Sequence, residues 1–516
     1  MVPIRFFAFS LLLAGAATAQ TTPPPFDVTE ASIAQIHAAM KAGQLTCRGL
    51  VSQYVRRIDA YDKNGPAINA IVVLNKDIGT QADELDRRFA QGGLTGPLHC
   101  VPMIVKDNFE TIGMQSADGS LAFAGFIADK DAFLVKKAKA AGALILAKSN
   151  MAEFAFSPVE TVNSILPGYT HNPYALDRVT AGSSGGTAAS IAASFGAVGF
   201  GSDTGDSIRG PASHQALVGI RSTMGLTSRA GIFPLNLLAD IGGPMGRTVE
   251  DVVTVFQAIV GEDPDDPATA ASHGRPSQNY AAALQRDGLR GARIGVLRQA
   301  YERADADPEV VKVFEAALED LRRQGAVIVD PAKVDLDTVK RPQGLGGCMG
   351  LKYDLNRFLT ALGDKAPMKN ISEVVKSRKF HPSVQVRIEQ ADTAVVNGPE
   401  SPACKADTVY RQQFRDAVTK RMDTLKLDAF VYPTWSNPPR LIGDLNSPAG
   451  DNSQVFSPTT GFPAISVPMG YTRGTLPAGM TFFGRAWTEA TLIKYAYSYE
   501  QATRWRHAPA AAPPLR

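Results

Sequence analysis

AGSSGG at residues 181–186, TAASIAASFGAVGF at 187–200 and GSDTGDSIRG at 201–210 run on without interruption and set two serines, Ser183 and Ser207, on glycine-rich turns. Glycines flanking Ser183 and Ser184 open backbone angles closed to other residues, so Gly182 to Gly186 reads as a shaped loop. The alanines of 187–195 let a helix lie close on a sheet, with that loop at its N-terminus among free N–H groups. An apolar strand then ends near Phe200. The turn after it, Thr204-Gly205-Asp206-Ser207, exposes Ser207 and aims successive N–H groups at one point, which is how an oxyanion hole is built. The Gly-Lys-Ser/Thr ending of a phosphate-binding loop is missing. Asp203 and Asp206 without further spaced oxygen ligands are too few for calcium.

Working outward, VPMIVKDN at 101–108 supplies Lys106 at the end of an apolar strand. A lysine stripped of solvent loses several units of pKa and becomes a competent neutral base. The plainer reading, an ion pair with Asp107 at a strand end, gives way once the two serine motifs are considered. Serine, serine and a desolvated lysine are the parts of an acyl-transfer site that needs no histidine. The seven histidines are His37, His99, His171, His214, His273, His381 and His507. None follows a strand-borne G-x-S-x-G elbow. Only His214 and His99 lie close enough in sequence to these motifs to stand near the site.

Apolar, β-branched runs at 67–75, 102–107, 144–150, 292–298, 326–330, 428–434, 464–470 and 478–484 alternate with helical spacing. The helical stretches include 32–41, 47–61 opening at the N-cap Thr46, 132–141, 248–260, 308–323 and 489–501. This alternation predicts an α/β fold, one large domain with a central mixed, mostly parallel β-sheet covered by helices on both faces. Residues 261–288, rich in Asp, Pro, Ala and Ser, read as a surface loop. Weak periodicity over 339–406 predicts helices and loops laid over the site, where selectivity would reside.

With 516 residues, 44% hydrophobic, 20% charged and a formal charge of +3, the chain is ordinary globular material and gives no case for nucleic acid or an anionic membrane as partner. Arg5, the apolar run 6–13 and Ala17-Thr18-Ala19 predict a cleavable secretory leader at 1–19, hence a secreted or periplasmic enzyme. A Pro-rich lead follows at 20–30, and an Ala/Pro-rich tail occupies 506–516. Four cysteines in an oxidising compartment leave room for two bridges, and near-neighbour order suggests Cys47 with Cys100 and Cys348 with Cys404. The alternative is four buried thiols. Their spacing fits no zinc motif.

PLHCVPMIVKDNF, AGSSGG and GSDTGDSIRGPA, in this order, resemble the amidase signature family, with further likeness in LAKSNMAEFAF, HNPYALDR and TGFPAISVPMG. The likeness spans roughly residues 30 to 505, so 31–505 would be one amidase domain. The resemblance implies Ser207 as nucleophile, Ser183 as a bridging serine with a cis peptide bond to Gly182, and Lys106 as base. It implies N–H groups of Thr204, Gly205, Asp206 and Ser207 as oxyanion donors, supported by Gly182, Ser184, Asp203 and Arg209. No metal or organic cofactor is implied, and the expected partner is a small-molecule amide, met by a monomer or homodimer. Other readings are a carbamate, anilide or ester hydrolase on the same triad, an amidotransferase glutaminase-like subunit, and a catalytically silent binding homologue. Two departures stand out: Asp206 occupies a position usually glycine, and so does Cys100. A carboxylate in an oxyanion hole would oppose the developing charge, so Asp206 is expected to point outward on an unusual turn angle.

Overall fold

Unbroken apolar runs demand burial on both faces, and Pro102–Lys106 (β2), Leu144–Ser149 (β3) and Val198–Asp203 (β4) are buried at every residue. The computed structural model describes residues 1–3, 26–156, 159–275, 278–343 and 347–515. The expected leader therefore lies outside the described residues but for its first three. The remaining strands are Ile71–Leu74 (β1), Val218–Arg221 (β5), Ile241–Gly246 (β6), Arg293–Val296 (β7), Val327–Val329 (β8), Ala429–Pro433 (β9), Ala464–Thr472 (β10) and Leu476–Phe483 (β11). They form one sheet in the order β1-β3-β2-β4-β6-β5-β10-β11-β9-β7-β8.

The α/β class and the mixed sheet are as expected, but the sheet is not mostly parallel. β3-β2-β4 and β9-β7-β8 pair in parallel, while every other neighbouring pair is antiparallel. The centre needs no helical crossover, since β10 and β11 form a hairpin turning through Arg473 and Gly474, both at positive φ. β6 carries no strand signal in the sequence because IGGPMG holds three glycines and a proline, a composition that argues against a central strand, and its neighbour β5 is only four residues long.

Helices begin where capping chemistry puts them. Ser32 and Gln35 form a capping box ahead of Ile33–Lys41, and Thr46 caps Cys47–Ile58. Thr248 caps Val249–Ile259, and Asp307 caps Pro308–Arg323 with proline at its first position. Both disulfides form as expected, Cys47–Cys100 and Cys348–Cys404. One apolar core lies against the β1–β4 side of the sheet and a second against β5 and β7–β11. A third packs Leu351–Leu362, Ile371–Ser377 and Gln385–Thr393 onto Phe123, Phe126, Phe154 and Phe233. These helices fall within 339–406. Among the described residues no helix is long and apolar enough to cross a membrane.

Candidate active site

Parallel pairing of β2 with β4 brings Lys106, last residue of β2, beside the turn that leaves β4 at Asp203. The helix Gly185–Ala192 seats the AGSSGG loop against the same strand ends, and only glycine permits its approach. A Cβ on Gly186 would stand 2.3 Å from the Asn150 carbonyl oxygen, and one on Gly199 2.7 Å from that of Ile104.

Lys106 is fully buried. Its Nζ lies 2.7 Å from Ser183 Oγ, 2.8 Å from Ser202 Oγ and 3.4 Å from the Ser202 carbonyl oxygen. Burial pushes the amine down to about 7, against the opposing pull of Asp118, Asp240, Asp203 and Asp206. As an ammonium Nζ donates to all three partners; once neutral it can keep its two contacts to Ser202 and accept from the Ser183 hydroxyl instead. Asp107 does not pair with Lys106. Successive strand residues face opposite sides, so its carboxylate turns to Lys148, 4.0 Å away, and accepts the N–H groups of Ala117 and Gly119.

The Gly182–Ser183 peptide bond is cis. Ser184 Oγ donates to the Ser202 carbonyl at 3.2 Å, binding the loop to β4. None of the N–H groups of Thr204, Gly205, Asp206 and Ser207 reaches a protein acceptor among the described residues. All four are free for a ligand oxygen. Ser207 keeps 6% of its surface exposed. Its hydroxyl is not hydrogen-bonded to Ser183, so the structure joins Lys106 to Ser183 and leaves the second link of the chain open.

Asp203 organises the turn from beneath. Its carboxylate accepts the N–H groups of Ile208 and Arg209 and pairs with Arg209 at 3.1 Å and Arg221 at 3.0 Å, all three side chains buried. Burial alone would raise this carboxyl, but the two guanidinium groups prevail and hold it at about 2. Arg209 also donates to the Gly205 and Ser453 carbonyls. Thr204 Oγ1 donates to Asp240 at 2.5 Å.

Asp206 is fully buried, and the unusual turn angle expected for it is absent, since its φ is not positive. Its carboxyl is buried against Gly210, Trp435, Asp451 and Gln454. Ordinary turn angles suffice because Gly210 leaves the room. Neither weighed histidine serves the serines: His214 lies tilted against Trp435, ring centres 4.7 Å apart, with burial pushing it down to about 3, and His99 bonds Thr95 Oγ1. Ser202 and Asn108, which meet at 3.0 Å, join the site without having been expected there, although both lie inside quoted motifs. Asp451 and Gln454 carry no local signal at all.

A buried amine that titrates near neutrality, a hydroxyl on it and a nearly buried serine among free N–H groups can conduct acyl transfer without a histidine. The sequence pattern of the family described as Amidase matches residues 49–493. This chain belongs to the amidase family. It is 32% identical to a probable amidase of Arabidopsis thaliana over 99% of both chains. It is 31% identical to a glutamyl-tRNA(Gln) amidotransferase subunit of Acinetobacter baumannii, covering 93% of this chain and 97% of that one. The solved native peptide amidase of Stenotrophomonas maltophilia superposes with a TM-score of 0.83 at 34% identity, over 94% of this chain and 99% of the other. The amidase is thus a hydrolase of C–N bonds in small-molecule amides.

Proposed function

We propose that this amidase works through an acyl-enzyme on Ser207, with Ser183 as the bridging hydroxyl and Lys106 as the base. The observation that carries the proposal is the fully buried Lys106 amine held 2.7 Å from Ser183 Oγ. As substrate binds, the Ser207 hydroxyl turns onto Ser183, an adjustment common when a site closes on its substrate. Lys106 takes the Ser183 proton while Ser183 takes that of Ser207, whose oxygen attacks the amide carbonyl. The N–H groups of residues 204–207 receive the oxyanion, and loss of one such donor typically costs about 3 kcal/mol in the transition state. The relay runs backward to protonate the leaving amine. Water then enters by the same route and releases the acid.

The test is covalent labelling with a fluorophosphonate, followed by a panel of amide, anilide, carbamate and ester substrates. Wild-type enzyme should label and Ser207→Ala should not; equal labelling of both sinks the assignment. The same contrast separates a working enzyme from a silent homologue.

Export is the second part of the proposal. The leader pattern at 1–19 and two disulfides support an oxidising compartment, and both disfavour service in a tRNA-dependent amidotransferase despite the likeness to one of its components. Intact mass of the purified mature protein should place its first residue near Gln20.

A further inference from the structure

We infer that Asp206 and Asp451 act as a proton-sharing clamp that fixes the nucleophile turn, with Asp451 and Gln454 as positioning residues for Ser207. The inference rests on the acyl-enzyme reading above. Asp206 is peptide-bonded to Ser207, so whatever holds its side chain holds the turn. The two buried carboxyl groups share the Gln454 amide, and Asp206 Oδ2 meets no donor among the described residues, an arrangement that suits one proton on the pair better than two bare carboxylates. The amide Nε2 of Gln454 bridges the pair, 2.6 Å from Asp451 Oδ2 and 3.5 Å from Asp206 Oδ1. The Ser453 N–H donates to Asp451 Oδ1 at 2.9 Å. On the opposite side, Asp206 Oδ2 lies 2.2 Å from where a Gly210 Cβ would be, and Trp435 Nε1 closes the same spot. The Asp206 carbonyl accepts the Gly210 N–H at 2.7 Å, so main chain and side chain both lean on the helix Arg209–His214.

Charge explains why one proton stays. The groups facing Asp206 are Lys106 from β2, Asp203 from β4, Arg209 from Arg209–His214, and Trp435, Asp451 and Gln454 from the loop after β9, with Arg221 from β5 behind them on Asp203, Tyr432 from β9 on Arg209 and His214 on Trp435. Arg209 faces both Asp203 and the acid pair while Arg221 faces Asp203, so with the Lys106 amine neutral a pair carrying one proton makes the buried cluster neutral. Removing that proton leaves an uncompensated buried anion and two carboxylates in contact, and one must move. Burial, Asp451 and Asp203 push the Asp206 carboxyl well above the usual range, against the pull of Arg209.

The decisive measurement is the pH dependence, from about 6 to 10, of fluorophosphonate labelling at Ser207 and of kcat/KM for a neutral amide. The expected wild-type rate rises as Lys106 loses its proton, then falls at alkaline pH in a one-proton step. Asp451→Asn and Asp206→Asn keep one negative charge and one hydrogen bond with no shared proton to lose. In both, the alkaline fall should vanish or move up by about one pH unit or more while the acid limb stays. Asp451→Ala, with no bond, should lose about tenfold or more in kcat with little change in KM, and Asp451→Asn should recover most of it. A wild-type labelling rate that stays flat to the pH of unfolding overturns the clamp, as does an Asp451→Asn alkaline limb matching wild type. The wild-type profile decides even if a variant fails to fold. Persistent labelling in Ser207→Ala would instead fault the nucleophile assignment.

Discussion

A lysine amine with no solvent contact and a hydroxyl at 2.7 Å gives the residue scale its first prediction. Lys106 acts only when neutral, so kcat/KM should climb as pH rises through about 7, the value burial imposes on it. Lys106→Ala should lose about a hundredfold to ten-thousandfold in kcat, the usual contribution of a general base. The stability consequence runs in the same sense with pH. The folded amine titrates well below its unfolded value of 10.5, so the unfolded chain binds more protons between about 7 and 10.5 and stability rises with pH across that window. Lys106→Met removes the cost of burying a charged amine, so its denaturant midpoint should exceed wild type's at pH 6 and approach it at alkaline pH. A variant less stable than wild type at pH 6 would mean that Lys106 is ionised and well paired.

Elements hold these residues through close approach, which glycine and alanine at 185–193 make possible. In Gly186→Ala the new methyl meets the backbone of Asn150, not a flexible side chain, so the helix Gly185–Ala192 must lift. Overpacking of this kind costs about 1–3 kcal/mol, and here the loss of kcat should exceed what stability explains because Ser183 rides on that helix. Urea unfolding alongside turnover measured about 20 °C below the melting point, a margin wider than the shift such a cost produces, separates the two effects. The Cys348–Cys404 bridge secures the helical cover at its ends, closing a sequence separation of 56. A loop that long gains about 4 kcal/mol in the chain-entropy account, and the Cys348→Ser, Cys404→Ser double variant should lose up to that amount in denaturant titration. Elements with strong local signals were legible: the apolar runs of β2 and β3, the caps Thr46 and Thr248, the proline-led helix from Pro308. Pro402–Leu425 was not, because its long polar surface buries only Ala403, Cys404, Phe414, Val418 and Met422. Residues of the site inside contiguous motifs, Lys106, Ser183 and Ser207, were equally legible. Asp451 and Gln454 were not, since only tertiary folding brings the loop after β9 onto Asp206.

At the scale of the whole molecule, the Asp203 knot joins two halves of one sheet. Asp203 ends β4, on the side of the first apolar core, whereas Arg221 ends β5 and Tyr432 lies in β9, both against the second. Arg209 touches Asp203, Tyr432 and the Ser453 carbonyl, and Arg221 adds Ser457 and the Ala239 carbonyl. Asp203→Asn would leave two buried guanidinium groups facing no full charge, and breaking a buried pair this way typically costs about 3–5 kcal/mol. The acid pair beside it loses a charged neighbour as well, so activity and stability should fall together. Lys106→Met behaves differently, losing activity while stability at pH 6 rises. The pH sense follows from the same carboxylate: held at about 2 in the fold against 3.8 unfolded, Asp203 stabilises above about pH 4, and that contribution fades as pH drops toward 2. Acid titration of Asp203→Asn should therefore show a shallower stability loss between pH 4 and 2 than wild type. Parallel curves there would place the junction of the two halves in their apolar packing and not in this ionic knot.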